Sequence, residues 1–204
     1  AEEARRLKGE TINFDQNEGS ENRVGYYYRF PVGVVGAITP FNDPLNLVAH
    51  KVGPAIPSGN GIVVKPASVT PLSALLLADA FEAAGLPKGM LSVITGSGSE
   101  LGETLVQHPA VKMVSFTGGL NAGEKVAEQS GIKHIGMELG SNSPAIVMSD
   151  CDLDDAVSSC VAGSFGAVGQ NCIGVQRIFV ERNVYDEFVK KMVFQTKALK
   201  VGDK

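Results

Sequence analysis

From residue 31 onward the chain alternates short β-branched or apolar runs with longer stretches of helical periodicity, and no other feature restricts its fold as much. The strand-like runs fall at 32–38, 61–64, 91–95, 112–116 and 133–137, and the helix-like stretches between them at 45–56, 72–84, 100–107 and 122–129. Strands separated by helices cannot be closed by tight hairpins; they pair in parallel, with the crossover helices laid on the sheet faces. The expected fold class is therefore α/β, a doubly wound, mostly parallel, Rossmann-like sheet. Helix punctuation agrees, since Pro44 and Pro71 suit first-turn positions while Gly85-Leu86-Pro87 and His108-Pro109 mark stops.

Near Gly140 the alternation starts afresh, with strands at 144–148 and 176–181 and helices at 153–168 and 184–198. This predicts the start of a second α/β domain. Before residue 31 the pattern is weaker. Ala1-Glu2-Glu3-Ala4-Arg5-Arg6 is helix-like without a start signal, Gly19-Ser20-Glu21-Asn22 reads as a turn, and 24–30 is an extended aromatic segment. The last residues, Val201-Gly202-Asp203-Lys204, carry no finishing signal, so the 204 residues are expected to be an internal piece of a longer chain, prone to association through core exposed at its ends.

A net charge of −4, with 44% hydrophobic and 20% charged residues and scattered Lys and Arg, argues against nucleic-acid binding. The apolar stretch at 74–84 is interrupted by Asp79 and Glu82 and is too short to cross a bilayer, so no membrane partner is expected. Three cysteines without metal-ligand spacing predict no metal site and fit a reducing, cytoplasmic compartment; Cys151 and Cys160 read as bystanders.

Cys172, in Gly169-Gln170-Asn171-Cys172, and Glu138, in Met137-Glu138-Leu139-Gly140, form a different kind of pair. A thiol with a separate carboxylate and no adjacent histidine suits a nucleophile whose base acts at a later step, as when an acyl intermediate is hydrolysed. Each residue also has a plainer reading: a buried apolar thiol for Cys172, a solvated strand-end charge for Glu138. His134, four residues before Glu138, is the rival base, ahead of His50 and His108.

Three more segments stand in order with these two: Ile38-Thr39-Pro40-Phe41-Asn42-Asp43-Pro44-Leu45, Val63-Val64-Lys65-Pro66-Ala67-Ser68, and Phe116-Thr117-Gly118-Gly119 followed by Gly123. Together the five resemble the NAD(P)-dependent aldehyde dehydrogenase superfamily over nearly the whole chain. Within it, Pro31-Val32-Gly33-Val34-Val35 and Cys172-Ile173-Gly174-Val175-Gln176-Arg177 look most like lactaldehyde and semialdehyde dehydrogenases.

The resemblance implies oxidation of a small aldehyde to a carboxylic acid with NAD or NADP. Cys172 would attack the carbonyl as thiolate, giving a thiohemiacetal and, after hydride loss to nicotinamide, a thioester. Asn42 and the backbone N–H of Cys172 would hold the oxyanion, where losing one donor costs roughly 3 to 4 kcal/mol; the competing reading of Asn42 is a helix N-cap. Glu138 would activate the hydrolytic water.

The cofactor contacts implied are Ile38, Thr39, Phe41, Lys65, Ser68, Gly98, Gly102, Thr117, Gly118, Gly119 and Leu139. Gly96, Gly98 and Gly102 miss the common dinucleotide fingerprint by one residue, and a plain tight turn is their alternative. Many NAD-preferring members carry glutamate where Ser68 stands, so a short neutral side chain there favours NADP, or use of both cofactors. Two departures are visible: most members have serine at the position of Gly119 and glycine at that of Ser141.

The implied organisation is a lead-in over 1–30, an NAD(P)-binding domain over 31–140, and over 141–204 the first part of a catalytic domain carrying the nucleophile. The parent enzyme would be a homodimer or homotetramer. Taken alone, the 204 residues would instead be a dinucleotide-binding module without turnover. A redox sensor built on Cys172 lacks a resolving cysteine.

Overall fold

The computed structural model describes residues 2–202, so Ala1 and the closing Asp203-Lys204 lie outside the described residues. Contacts divide the chain into two compact units, with the break after Glu138. Of the helix-like opening, Glu2–Arg6 forms a single short 3-10 helix. The first unit then begins with a ribbon, β1 (Glu10–Asn13) paired antiparallel with β2 (Val24–Tyr27). Strand β1 is short, mostly polar and buries none of its residues, so its sequence carries only a weak strand signal; its backbone is ordered by the partner strand.

The main sheet of this unit is built from β3 (Val34–Ile38), β4 (Gly61–Lys65), β5 (Leu91–Val93), β6 (Val111–Thr117) and β7 (His134–Glu138). All pairings are parallel and the order is β5-β4-β3-β6-β7. The chain thus builds outward from β3 on one side, then returns to add β6 and β7 on the other. The reversal opens a crevice at the carboxyl ends of β3 and β6, where a doubly wound sheet takes its ligand.

Strand β3 is sandwiched, and its alternating side chains show how. Val35 and Ala37 join one core with Val48, Val52 and Ala55 of α1 (Asn46–Ala55) and Ala74 of α2 (Leu72–Ala83). On the opposite face a Cβ at Gly36 would lie 3.1 Å from Leu105 of α3 (Glu103–Gln107) and 3.2 Å from Val111. Helix α4 (Leu120–Ser130), the β6–β7 crossover, packs beside α3. Helices therefore cover both faces, as the alternation predicts.

The second unit pairs β8 (Ser143–Val147) with β9 (Val175–Val180) in parallel, crossed by α5 (Leu153–Phe165) and followed by α6 (Tyr185–Lys197). Its core joins Val147, Val157, Cys160, Val161 and Phe188. Asp152 caps α5 by accepting from the N–H groups of Asp154 and Asp155, at 3.0 and 3.1 Å.

Three local expectations are corrected. Pro44 lies in the turn before α1, not in its first turn, since the regular helix starts at Asn46 with Leu45 as its N-cap. The helix expected at 100–107 begins earlier, with a π-turn at Gly98–Gly102 capped by Ser97. The helix expected at 153–168 ends at Phe165, since Ala167 and Val168 turn left-handed, with φ of 53° and 59°. No helix among the described residues is long and apolar enough to cross a membrane.

If β3 depends on close approach of α3, Gly36→Val will destabilise the protein by about 1 to 3 kcal/mol through overpacking, despite valine's better strand propensity. Urea unfolding at equilibrium tests this; an unchanged midpoint would mean that Leu105 simply moves aside.

Candidate active site

The carboxyl edge of the main sheet gathers most of the residues singled out from the sequence. Ile38 ends β3, Lys65 ends β4, Thr117 ends β6 and Glu138 ends β7, with Thr117 directly opposite Glu138 in the ladder. His134 begins β7, so it lies about 13 Å from Glu138 along the strand, at the amino edge. The two groups therefore stand at opposite edges of the sheet. His50 is exposed on α1, and His108 is engaged locally, its Nδ1 accepting from the Ala110 N–H at 3.2 Å.

Two polar groups at this edge are buried without a full set of partners. Thr39 is 3% exposed; its backbone N–H donates to the Lys65 carbonyl at 3.2 Å, while its hydroxyl is buried and unpartnered. Lys65 is equally buried, and its Nζ donates to the Pro66 carbonyl at 3.0 Å. Burial pulls its ammonium pKa below the ordinary lysine value. It has no ion pair among the described residues. Such groups are costly unless a ligand completes them.

Asn42 is half-buried on the loop between β3 and α1, and Phe41 beside it is exposed. The helix N-cap is Leu45, with no side-chain capping bond, so Asn42 does not cap α1. Its amide makes no hydrogen bond to the described residues, and both donors are available. Ser68 donates to the Gly96 carbonyl at 2.8 Å, tying the loop after β4 to the loop after β5.

Ile38, Gly98, Gly102, Phe116, Asn121 and Lys125 help to line a cavity of about 730 Å³ between the start of the π-turn and α4. At Gly118 a Cβ would sit 2.6 Å from the Phe116 ring, so any side chain there would have to displace that ring. The Gly118 N–H donates to the Glu138 carbonyl at 3.1 Å. Gly119 is the N-cap of α4 and brings no side chain to it, leaving that terminus's N–H groups free for another acceptor.

Leu139 and Cys172 belong to the second unit. Leu139 is half-buried at its start. Cys172 is half-buried in the loop between α5 and β9, where the Gly174 N–H donates to the Asn171 carbonyl at 3.1 Å and the Ile173 N–H to Asn171 Oδ1 at 3.2 Å. Of the other thiols Cys160 is buried, and that burial, with Cys151 nearby, pushes its pKa up; Cys151 is exposed.

These motifs meet independent support in known proteins. The aldehyde dehydrogenase family profile matches residues 1–204. The chain belongs to the aldehyde dehydrogenase family. It is 53% identical to aspartate-semialdehyde dehydrogenase 1 of Pseudomonas canavaninivorans, covering 100% of this chain and 43% of that protein. It is 50% identical to 3-sulfolactaldehyde dehydrogenase of Priestia aryabhattai, again over 100% of this chain and 43% of that one. A crystal structure of NADP-dependent glyceraldehyde-3-phosphate dehydrogenase from Bacillus halodurans C-125, complexed with NADP, superposes with a TM-score of 0.92 at 42% identity, covering 99% of this chain and 43% of the other. The chain thus spans less than half the length of these aldehyde dehydrogenases.

One residue of this aldehyde dehydrogenase chain escaped the sequence reading. Lys51, 7% exposed, stands on the apolar face of α1 among Val48, Val52 and Ala55 and donates to Ser115 Oγ of β6 at 2.9 Å. Burial lowers its pKa from 10.5 to about 8, opposed by the Glu138 carboxylate. The available signal was a lysine at helical spacing within an apolar stripe.

Lys51 sheds its proton at lower pH when folded than when unfolded, so the unfolded chain binds more protons between pH 8 and 10.5 and stability rises with pH across that window. The rise is on the order of 3 kcal/mol. Lys51→Met should flatten it and stabilise the protein near neutral pH. Chemical denaturation at several pH values gives the two curves, and parallel curves would rule this out.

Proposed function

We propose that the protein containing this chain oxidises a small aldehyde to its carboxylic acid with NAD(P), and that 31–140 bind the cofactor while 141–204 carry the nucleophile. The observation that carries the cofactor half is the buried, unpartnered Thr39 hydroxyl and the buried Lys65 ammonium, on two residues joined at the sheet's carboxyl edge by the Thr39 N–H to Lys65 carbonyl bond. Both groups suit ribose hydroxyls or a phosphate, and the uncapped start of α4 after Thr117-Gly118-Gly119 suits a pyrophosphate. Ile38, Phe41, Gly98, Gly102 and Leu139 would supply the remaining contacts. The residues present therefore fit a dinucleotide.

Cys172 would add to the aldehyde carbon as thiolate, the carbonyl π pair moving onto oxygen. The Asn42 amide and the Cys172 backbone N–H would donate to that oxygen, and the unbonded state of the Asn42 amide supports the assignment. The nicotinamide, when bound, supplies the hydride acceptor. Glu138 would then take a proton from the water that attacks the thioester, releasing acid and regenerating the thiol.

Relatives named as semialdehyde and sulfolactaldehyde dehydrogenases support a short aldehyde bearing a second polar group. A reducing, cytoplasmic setting is in keeping with its free thiols, and a homodimer or homotetramer is what the family resemblance implies. With Ser68 short and neutral, NADP is the favoured cofactor, since a 2′-phosphate meets no carboxylate there and Lys65 stands close in sequence.

Reduced-nicotinamide absorbance with propanal or succinic semialdehyde tests this reading. Steady turnover should vanish in Cys172→Ala, and Glu138→Gln should retain a first burst with later turnover slowed about 10²- to 10⁴-fold. Turnover that survives loss of the thiol would remove the proposal. Ser68→Glu should move preference toward NAD by about tenfold or more in kcat/KM, the effect of one unpaired repulsive contact; an unchanged ratio would mean that the 2′ position is read elsewhere.

A further inference from the structure

Within the second unit the Ser141 hydroxyl donates to the backbone carbonyl of Cys172 and lies 2.8 Å from Ser143 Oγ. Among the described residues, the other bonds recorded for 171–173 stay inside their own loop: Gly174 N–H to the Asn171 carbonyl, and Ile173 N–H to Asn171 Oδ1. Ser141 is thus the group that reaches the cysteine from outside.

The backbone explains why a side chain does this work. Strands β8 and β9 pair from Ser143↔Val175 onward, with a register shift at that first step. Continued one step toward the amino end, the ladder would run through the turn at 171–174, where the chain curls back on itself and the pairing stops. Among the described residues the Cys172 carbonyl receives no backbone N–H there, and the Ser141 hydroxyl takes that place. Nearby, the Arg177 guanidinium donates to the Asn142 carbonyl at 3.0 Å, fixing the segment that carries Ser141.

Upstream, the loop is under tension. Ala167 and Val168 have φ of 53° and 59°, followed by Gly169 at 76°. A β-branched residue in the left-handed region is strained, and it persists only where its surroundings overdetermine it. A loop entered through such a conformation needs an anchor beyond it, and its nucleophile lies between the strain and the β9 ladder.

We propose that Ser141 is a positioning residue for Cys172: its hydroxyl holds the 172–173 peptide in one orientation and so fixes the direction from which the thiol meets its substrate. The inference rests on the nucleophile assignment above. It concerns a serine at a position where a glycine would leave the carbonyl unbound.

The test uses the whole protein and two readouts, thiol alkylation by iodoacetamide resolved residue by residue with mass spectrometry, and aldehyde turnover. In Ser141→Ala, Cys172 should alkylate about threefold to tenfold faster as the loop loosens, the worth of one hydrogen bond, while turnover falls by a similar factor at nearly constant KM. Buried Cys160 should keep its rate, and Ser141→Thr, which retains a hydroxyl, should restore both readouts. Unchanged Cys172 alkylation and turnover in Ser141→Ala would overturn the proposal. So would a parallel rise at Cys160 with no rescue by threonine, which would mark a general packing defect. Cys172→Ala separates the two claims: if turnover survives it, the nucleophile assignment fails, whereas the alkylation result still judges the tether.

Discussion

The first unit depends on one strand being packed from both sides. Strand β3 is flanked by β4 and β6 and covered by α1 on one face and α3 on the other. Val35 and Ala37 fill one core, and Gly36, lacking a side chain, lets Leu105 approach from the other. Because the chain reverses its direction of build at this strand, β3 and β6 cannot be bridged by a loop at their carboxyl ends. The opening there follows from topology and would exist whatever residues lined it.

Several buried polar groups of this unit are electrostatically incomplete. Lys51 and Lys65 are buried cations outside any ion pair among the described residues, and Thr39 holds a buried hydroxyl with no acceptor. Folding must overcome the desolvation of both ammonium groups, and burial lowers both pKa values. The large apolar contribution of β3, β4 and α1 is what makes that cost tolerable. A scaffold this fully packed can hold two buried ammonium groups, each on a single neutral acceptor.

The second unit handles its candidate nucleophile differently. Cys172 sits in no regular element, and its loop is defined by a strained left-handed stretch on one side and a parallel ladder on the other. Precision here comes from hydrogen bonds to the backbone. Asn171 closes the turn, and Ser141 reaches in from the segment before β8.

Period and punctuation alone were enough to locate all five strands of the main sheet and their crossover helices, because burial on both faces demands uninterrupted apolar runs that local sequence displays. The order of five motifs was enough for the family and for Asn42, Lys65, Glu138 and Cys172 as candidates. Strand β1 stayed hidden, since Glu10-Thr11-Ile12-Asn13 is a strand only through its partner. Local sequence also left open whether Asn42 capped a helix and whether His134 rivalled Glu138. The tertiary structure starts α1 at Asn46 with Leu45 as its N-cap, so Asn42 caps no helix there, and puts His134 and Glu138 at opposite ends of β7. Only the fold could bring Lys51 beneath Ser115, or the Ser141 hydroxyl onto the Cys172 carbonyl. Those contacts join residues far apart in the chain, and periodicity, which is local, carries no information about them.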